Sequence, residues 1–310
     1  MTTVQDLERS RDEMVHAGTR GPSDDSIKKF LTACRTLKVR ESGLVTEYGA
    51  QLLKKGSMSE EELWLVREQV AMAALDVGDM GLATGCVKAI SRQFPDSMRA
   101  HRLQGMYFEA MHNWERAGEV YSKMLERDPS NEMALKRQVA LAKAKGSTPA
   151  AIEALVAFLE VYCNDIEAWE ELADLYLQGC MYRLAAHCYE ELLMLNPASF
   201  AYPLRYADTL VTLGGAKNLK TARSYYSMAI QLSGGGCLPA LYGLCGATAK
   251  LEALKGTGSG KRAAAAEEVG ETDPHDLAKL AAQTIIQHYA QKSPVKLPLV
   301  KNMLIMQGLL

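Results

Sequence analysis

The sequence predicts an all-α solenoid of stacked helical hairpins, and three observations carry that prediction. Amphipathic segments end at Phe94-Pro95, Asp128-Pro129 and Asn196-Pro197; the first two prolines stand 34 residues apart and the last two 68, twice that interval. The missing middle position falls in the turn Tyr162-Cys163-Asn164-Asp165. No alternating run long enough to make a strand of consequence breaks the helical periodicity. Proline closes each unit because the residue before it avoids the α region.

A helix-turn-helix period of 34 is that of the tetratricopeptide repeat, whose hairpins stack into a right-handed superhelix. Along the chain, residues 1–24 are expected to be a flexible N-terminus. Residues 25–56 hold two capping helices, Asp25 to Leu37 and Ser42 to Lys55, the second ending at Gly56. The repeats follow over 57–250, opened by Ser59 with Glu62 three residues on, a capping-box signature. Trp64 to Pro95 places Ala71, Ala74, Ala83, Val87 and Ile90 in register, and Met98 to Pro129 places Gly105, Phe108, Ala117, Tyr121 and Met124. Glu132 to Cys163 is a weaker unit with Val139, Ala142, Ala151, Leu155 and Phe158. Ile166 to Pro197 is the clearest, with Trp169, Leu172, Ala173, Tyr176, Ala185, Tyr189 and Leu192. The small residues Gly105, Ala117, Ala173 and Ala185 fall where paired helices approach closest, and the large ones fill the space between hairpins, which predicts a buried Trp169. After Pro197 the turn lengthens at Gly214 to Asn218, and Ala222, Tyr226 and Ala229 resume three residues late. A sixth, degraded hairpin starts near Leu238. Residues 251–273, rich in Gly, Ala and charge, read as a flexible loop, and 274–310 as C-terminal helices, the last a capping helix or docking tail.

Composition narrows the function. Apolar residues are 48% and charged residues 23% of 310, with a formal charge of −2. That balance argues against binding nucleic acid or an anionic membrane by bulk electrostatics. Seven unevenly spaced cysteines make no disulfide framework and fit a reducing compartment. The charged first residues lack a signal-peptide core. Ser224 to Ala249 carries no charge, but Gly234-Gly235-Gly236 and Pro239 interrupt it, so it reads as two short buried helices and not as a membrane span.

Catalytic chemistry is not indicated. Gly256 to Arg262 lacks the glycine and the hydroxyl that a phosphate loop needs, and no strand precedes it. Cys180, His187 and Cys188 match no common zinc spacing, and no nucleophile–histidine grouping stands out. No cofactor or metal is expected. The repeats offer surface instead, because the first helix of each hairpin lines the concave face. Arg99, Arg102, Met106 and Glu109 are placed there, then Lys136, Ala140 and Lys143, then Glu167, Glu170, Asp174 and Leu177. From Arg99 to Lys145 nine basic residues face six acidic ones, while Glu160 to Leu195 holds eight acidic and one basic. A basic stretch followed by an acidic one suits partner binding.

Five segments resemble one family: Leu63 to Ala83, Arg92 to Met111, Glu167 to Leu177, Tyr189 to Leu210 and the following GGAKNLKTARSYYSMAIQL. They are similar to subunit 2 of the endoplasmic reticulum membrane protein complex, over about Arg40 to Ala249. The lengthened turn at Gly214-Gly215 is the most specific feature. The resemblance implies a non-catalytic scaffold on the cytoplasmic face of the endoplasmic reticulum membrane. There it would hold cytosolic segments of membrane subunits of the third and fifth type and a soluble subunit of the eighth/ninth type, in an assembly that inserts transmembrane segments. It implies no nucleic acid and no membrane span of its own. The alternative is a tetratricopeptide co-chaperone or cargo adaptor gripping a peptide terminus. Glu167 and Glu171 at the end of the groove would repel a terminal carboxylate.

Overall fold

Every hairpin of a repeat must reverse the chain between its two helices, and the reversal leaves the same backbone mark five times. Gly78, His112, Gly146, Cys180 and Gly214 all have positive φ, at 86°, 54°, 72°, 55° and 71°. Each lies 34 residues after the one before. Glycine adopts such a conformation without penalty, whereas an L side chain there costs about 1 kcal/mol. His112 and Cys180 therefore hold a turn that repeat packing imposes.

The helix caps repeat with the same interval. Asp79 and Asn113 open second helices, accepting from the backbone N–H of Leu82 at 3.0 Å and of Arg116 at 3.2 Å. Asn131 and Asp165 open first helices, accepting from Ala134 and Ala168, each at 3.0 Å. Each such cap contributes about 1 kcal/mol by satisfying an N–H that has no helical partner.

The computed structural model describes residues 4–15, 22–256 and 274–310. All secondary structure among the described residues is helical, in two units, 1–154 and 155–310. The first unit contains α1 (Val4–Val15), α2 (Asp24–Leu37), α3 (Ser42–Lys55), α4 (Glu60–Val77), α5 (Met80–Gln93), α6 (Met98–Ala110), α7 (Trp114–Arg127) and α8 (Glu132–Ala144). The unit boundary falls within α9 (Thr148–Val161). The second unit contains α10 (Ile166–Gln178), α11 (Tyr182–Leu195), α12 (Ala201–Leu213), α13 (Ala216–Leu232), α14 (Leu238–Gly256), α15 (Pro274–Lys292) and α16 (Leu297–Met306).

In the first unit α3 packs on α4, α4 on α5 and α6 on α7. The Ser59–Glu62 capping box opens α4, as its spacing predicts. Tyr121 of α7 is wholly buried against Gly105 of α6, at a place where any β-carbon would meet the tyrosine ring. Within the 1–24 segment expected from the sequence to be flexible, residues 1–3 and 16–21 lie outside the described residues, and residues 4–15 form α1. Leu7 and Met14 are its buried contacts, and the Tyr48 hydroxyl donates to the Met14 carbonyl at 3.0 Å. Two buried apolar side chains in a charged segment give little periodic signal, which is why composition alone reads it as loose.

In the second unit α10 packs on α11, α12 on α13, and α13 on α14. Ala173, Ala185, Ala207, Ala222 and Ala229 are fully buried at the helix contacts. The uncharged stretch becomes the end of α13 and the start of α14, joined through Gly234 and Gly235 at φ 63° and 83°. The helix α14 continues through 251–256, with Leu251 buried, where the sequence suggests a loop. The remainder of that expected loop, 257–273, lies outside the described residues. Trp169 also departs from expectation. It is half-buried, and its indole N–H donates to the Cys163 carbonyl at 2.8 Å. A polar edge that needs a backbone partner keeps this ring at the margin of the packing.

Candidate functional site

In the first unit, charged side chains of successive first helices pair across hairpins. Arg99 and Arg102, neighbours on α6, both reach Glu68 of α4, at 2.5 Å and 3.6 Å. One turn beyond Met106 (two beyond Arg102), Glu109 takes two donors from two different helices. Arg137 of α8 stands 3.0 Å from it, and the Tyr121 hydroxyl of α7 donates to it at 2.8 Å. The phenol of Tyr121 is pushed far above its ordinary range, first by burial and then by the Glu109 charge.

Beside this cluster opens a cavity of about 340 Å³ whose lining includes Asp76, Met106, Glu109, Trp114, Arg137 and Ala140. Met106, Glu109 and Ala140, all placed on the concave face by register, thus meet in one site. Arg99 is exposed and Arg102 half-buried, both committed to Glu68. Lys136 is half-buried and pairs with Glu132 one turn back on its own helix, at 3.0 Å. Lys143 is exposed near the end of α8.

Sequence spacing does not select Arg137, because its partner Glu109 lies 28 residues earlier on a different hairpin. One signal was present. Arg137 stands 34 residues after the buried Leu103, and a charge at a core register position requires a partner.

The second unit solves the same problem with neutral donors. Glu167, Glu170 and Asp174 are exposed on α10. Glu170 accepts from the Tyr202 hydroxyl at 2.7 Å, Glu190 from Tyr206 at 2.6 Å and Asp208 from Tyr226 at 2.6 Å. The Tyr202 phenol is pushed up to about 12, by burial and then by its bond to Glu170. Burial raises the Asp208 carboxyl above its ordinary 3.8, against the opposing pull of the Tyr226 hydrogen bond and of Arg205.

Among the described residues no group of His, Cys, Asp and Glu is placed to hold a metal ion. Cys180 occupies the positive-φ turn, His187 stacks edge-on to Trp169 at 6.2 Å, and burial holds the Cys188 thiol up to about 12, far from a reactive thiolate.

Hairpins at a 34-residue interval, with caps and turns in phase, define a tetratricopeptide-repeat protein. A family model described as the EMC2 TPR-like repeat domain matches residues 89–214. ER membrane protein complex subunit 2 of Xenopus tropicalis is 40% identical over 221 residues, covering 71% of this chain and 74% of that protein. The Dictyostelium discoideum protein of the same name is 32% identical over 210 residues, 67% of this chain and 65% of the relative. The chain belongs to the family of ER membrane protein complex subunit 2. Among solved structures, the C-terminal part of a TPR repeat-containing protein from Cytophaga hutchinsonii aligns with a TM-score of 0.57 at 15% identity. It covers 87% of this chain and 96% of that one, and supports the fold alone.

Proposed function

We propose that this protein is a non-catalytic scaffold subunit of the ER membrane protein complex, held peripherally at the cytoplasmic face of the endoplasmic reticulum membrane by its partners. In this reading it binds cytosolic segments of the membrane subunits of the third and fifth type and a soluble subunit of the eighth/ninth type. Its contribution to inserting transmembrane proteins is to keep those segments in register. The observation that carries the reading is 40% identity over 221 residues to a protein named as subunit 2 of that complex. Consistent with peripheral attachment, no helix among the described residues is long and apolar enough to cross a membrane.

The proposed contact residues are Arg99, Arg102, Met106, Lys136 and Lys143 in the first unit, and Glu167, Glu170 and Asp174 in the second. Pairing fixes several of these side chains before a partner arrives, which lowers the ordering cost of binding. The test is recovery of partners with the tagged protein from detergent-solubilised membranes. Co-recovery of the complex's membrane subunits, reduced by the double substitution Arg102→Glu and Lys136→Glu at unchanged melting, supports the reading. Recovery of a cytosolic chaperone in their place overturns it in favour of a co-chaperone.

A further inference from the structure

We propose a second docking site on the opposite side of α6: a cleft between α5, α6 and α7 that takes a peptide segment with one large apolar side chain flanked by carboxylates. The cleft encloses about 480 Å³. Its floor is Tyr107, Phe108 and Met111, and its rim carries Lys88, Arg92 and Arg116. Met111 is 52% exposed although it is a large apolar side chain. No carboxylate lines the cleft, and among the described residues none of the three rim cations stands in an ion pair. The Arg116 guanidinium lies 5.9 Å over the Phe108 ring. The other polar groups are satisfied within the wall: Gln104 donates to Ser91 at 2.9 Å, and the Thr84 and Tyr107 hydroxyls meet at 3.1 Å.

A comparison within the chain separates what repeat packing dictates from what it does not. Sixty-eight residues further on, the same register positions on α9, α10 and α11 line a cleft of about 260 Å³. There Val156, Glu160 and Leu184 stand in place of Lys88, Arg92 and Arg116. A cleft at this position is thus a product of helix stacking, and the basic rim is an addition to it. Three cations without a carboxylate partner around an aromatic and methionine floor are complementary to an acidic segment with an apolar anchor. The anchor supplies burial, and the carboxylates supply charge-assisted hydrogen bonds and steering. The site lies on α6 across from Met106 and Glu109, so it stands independently of the scaffold reading.

The test uses the full chain and a fluorescein-labelled peptide, Gly-Ser-Glu-Glu-Phe-Glu-Glu-Ser-Gly, followed by fluorescence anisotropy at low and physiological salt. The expected result is saturable binding that weakens about tenfold or more when the four glutamates become glutamines. A similar loss is expected in the protein variant Lys88→Gln, Arg92→Gln, Arg116→Gln. The single variant Arg92→Gln, at an exposed residue, gives a smaller loss and remains informative if the triple variant melts early. Lys54→Gln, at an exposed residue of α3 outside the cleft, stays within about twofold of the unsubstituted protein. Absence of binding up to millimolar peptide overturns the proposal, as does equal binding by the folded triple variant or equal binding of the glutamine peptide. Sedimentation with phosphatidylserine vesicles that requires the same three cations, without peptide binding, overturns it in favour of a membrane surface.

Discussion

The two units hold their carboxylates in different ways. In the first, arginines do it: Arg99 and Arg102 on Glu68, and Arg137 on Glu109 with help from Tyr121. In the second, tyrosine hydroxyls do it: Tyr202 on Glu170, Tyr206 on Glu190 and Tyr226 on Asp208. A guanidinium cancels the charge it binds, whereas a phenol leaves it standing. The helices α10 and α11 are therefore net acidic even though some of their carboxylates are hydrogen-bonded, in line with eight acidic and one basic residue from Glu160 to Leu195. Two solutions to one packing requirement thus leave different residual charge at the carboxylates they hold.

The largest expected effect tests the arginine-plus-tyrosine solution. Tyr121→Ala removes a fully buried ring packed on Gly105 and should cost about 3–5 kcal/mol, read from urea unfolding. Tyr121→Phe keeps the ring and leaves Glu109 its arginine, so it should cost only about 1 kcal/mol. If the two variants were equally unstable, the hydrogen bond and not the packing would be the dominant contribution of Tyr121.

A smaller effect is expected at Trp169. Its half-buried ring lines the cleft of the second unit, so Trp169→Ala should cost about 1–2 kcal/mol, below the range for buried aromatics. In a stack of repeats the loss should register mainly in adjoining hairpins. Hydrogen exchange along α10 and α11 checks this. Protection lost uniformly over both units would break the picture of locally coupled repeats.

The tyrosine solution makes a pH prediction. Burial places the folded-state pKa of Asp208 above its unfolded value, so the folded protein binds the extra proton and stability falls as pH rises through that window. The Tyr226 hydroxyl limits this by favouring the carboxylate. Tyr226→Phe should therefore raise the Asp208 pKa further and widen the window. The stability gap between variant and parent is expected to be about 1 kcal/mol at pH 7 and smaller near pH 4, where Asp208 takes up its proton more readily. Urea midpoints at the two pH values decide it; a gap that grows on acidification would show that Tyr226 does not hold a charged Asp208.

Much of this architecture was legible because a repeat writes itself several times. The prolines fixed the interval, and the same interval reappears in the turns at Gly78, His112, Gly146, Cys180 and Gly214. Gly105, Ala117, Ala173 and Ala185 are buried at helix contacts as their size and register require. What was not legible depends on contacts between elements. The helix α1 rests on two buried side chains, Leu7 and Met14, too few to make a periodic pattern. Trp169 matches the repeat consensus by position, yet its N–H bond to Cys163 holds it at the edge. Glu109 and Arg137 sit on different hairpins, and Lys136, chosen by charge and spacing, turns back to Glu132. The basic rim of Lys88, Arg92 and Arg116 draws on three helices, so no single amphipathic pattern displays it.

The smallest expected change in stability gives the sharpest version of the comparison. Transplanting the rim, by Val156→Lys, Glu160→Arg and Leu184→Arg, places three cations around the second unit's cleft, whose lining already includes Trp169, Leu172 and Tyr176. Val156 is 38% exposed, Leu184 46%, and Glu160 is exposed, so each substitution should change stability by less than about 0.5 kcal/mol. If rim charge on an apolar floor is sufficient for docking, the variant gains a second binding event for the same acidic phenylalanine peptide. Adding Lys88→Gln, Arg92→Gln and Arg116→Gln should then leave only the transplanted site active. If the first cleft binds the peptide and the transplant does not, the rim is necessary but its charge is insufficient. The flexible Met111, whose register equivalent is Gly179, then becomes the feature that admits the anchor, because a thioether reshapes around an apolar side chain where glycine offers no surface.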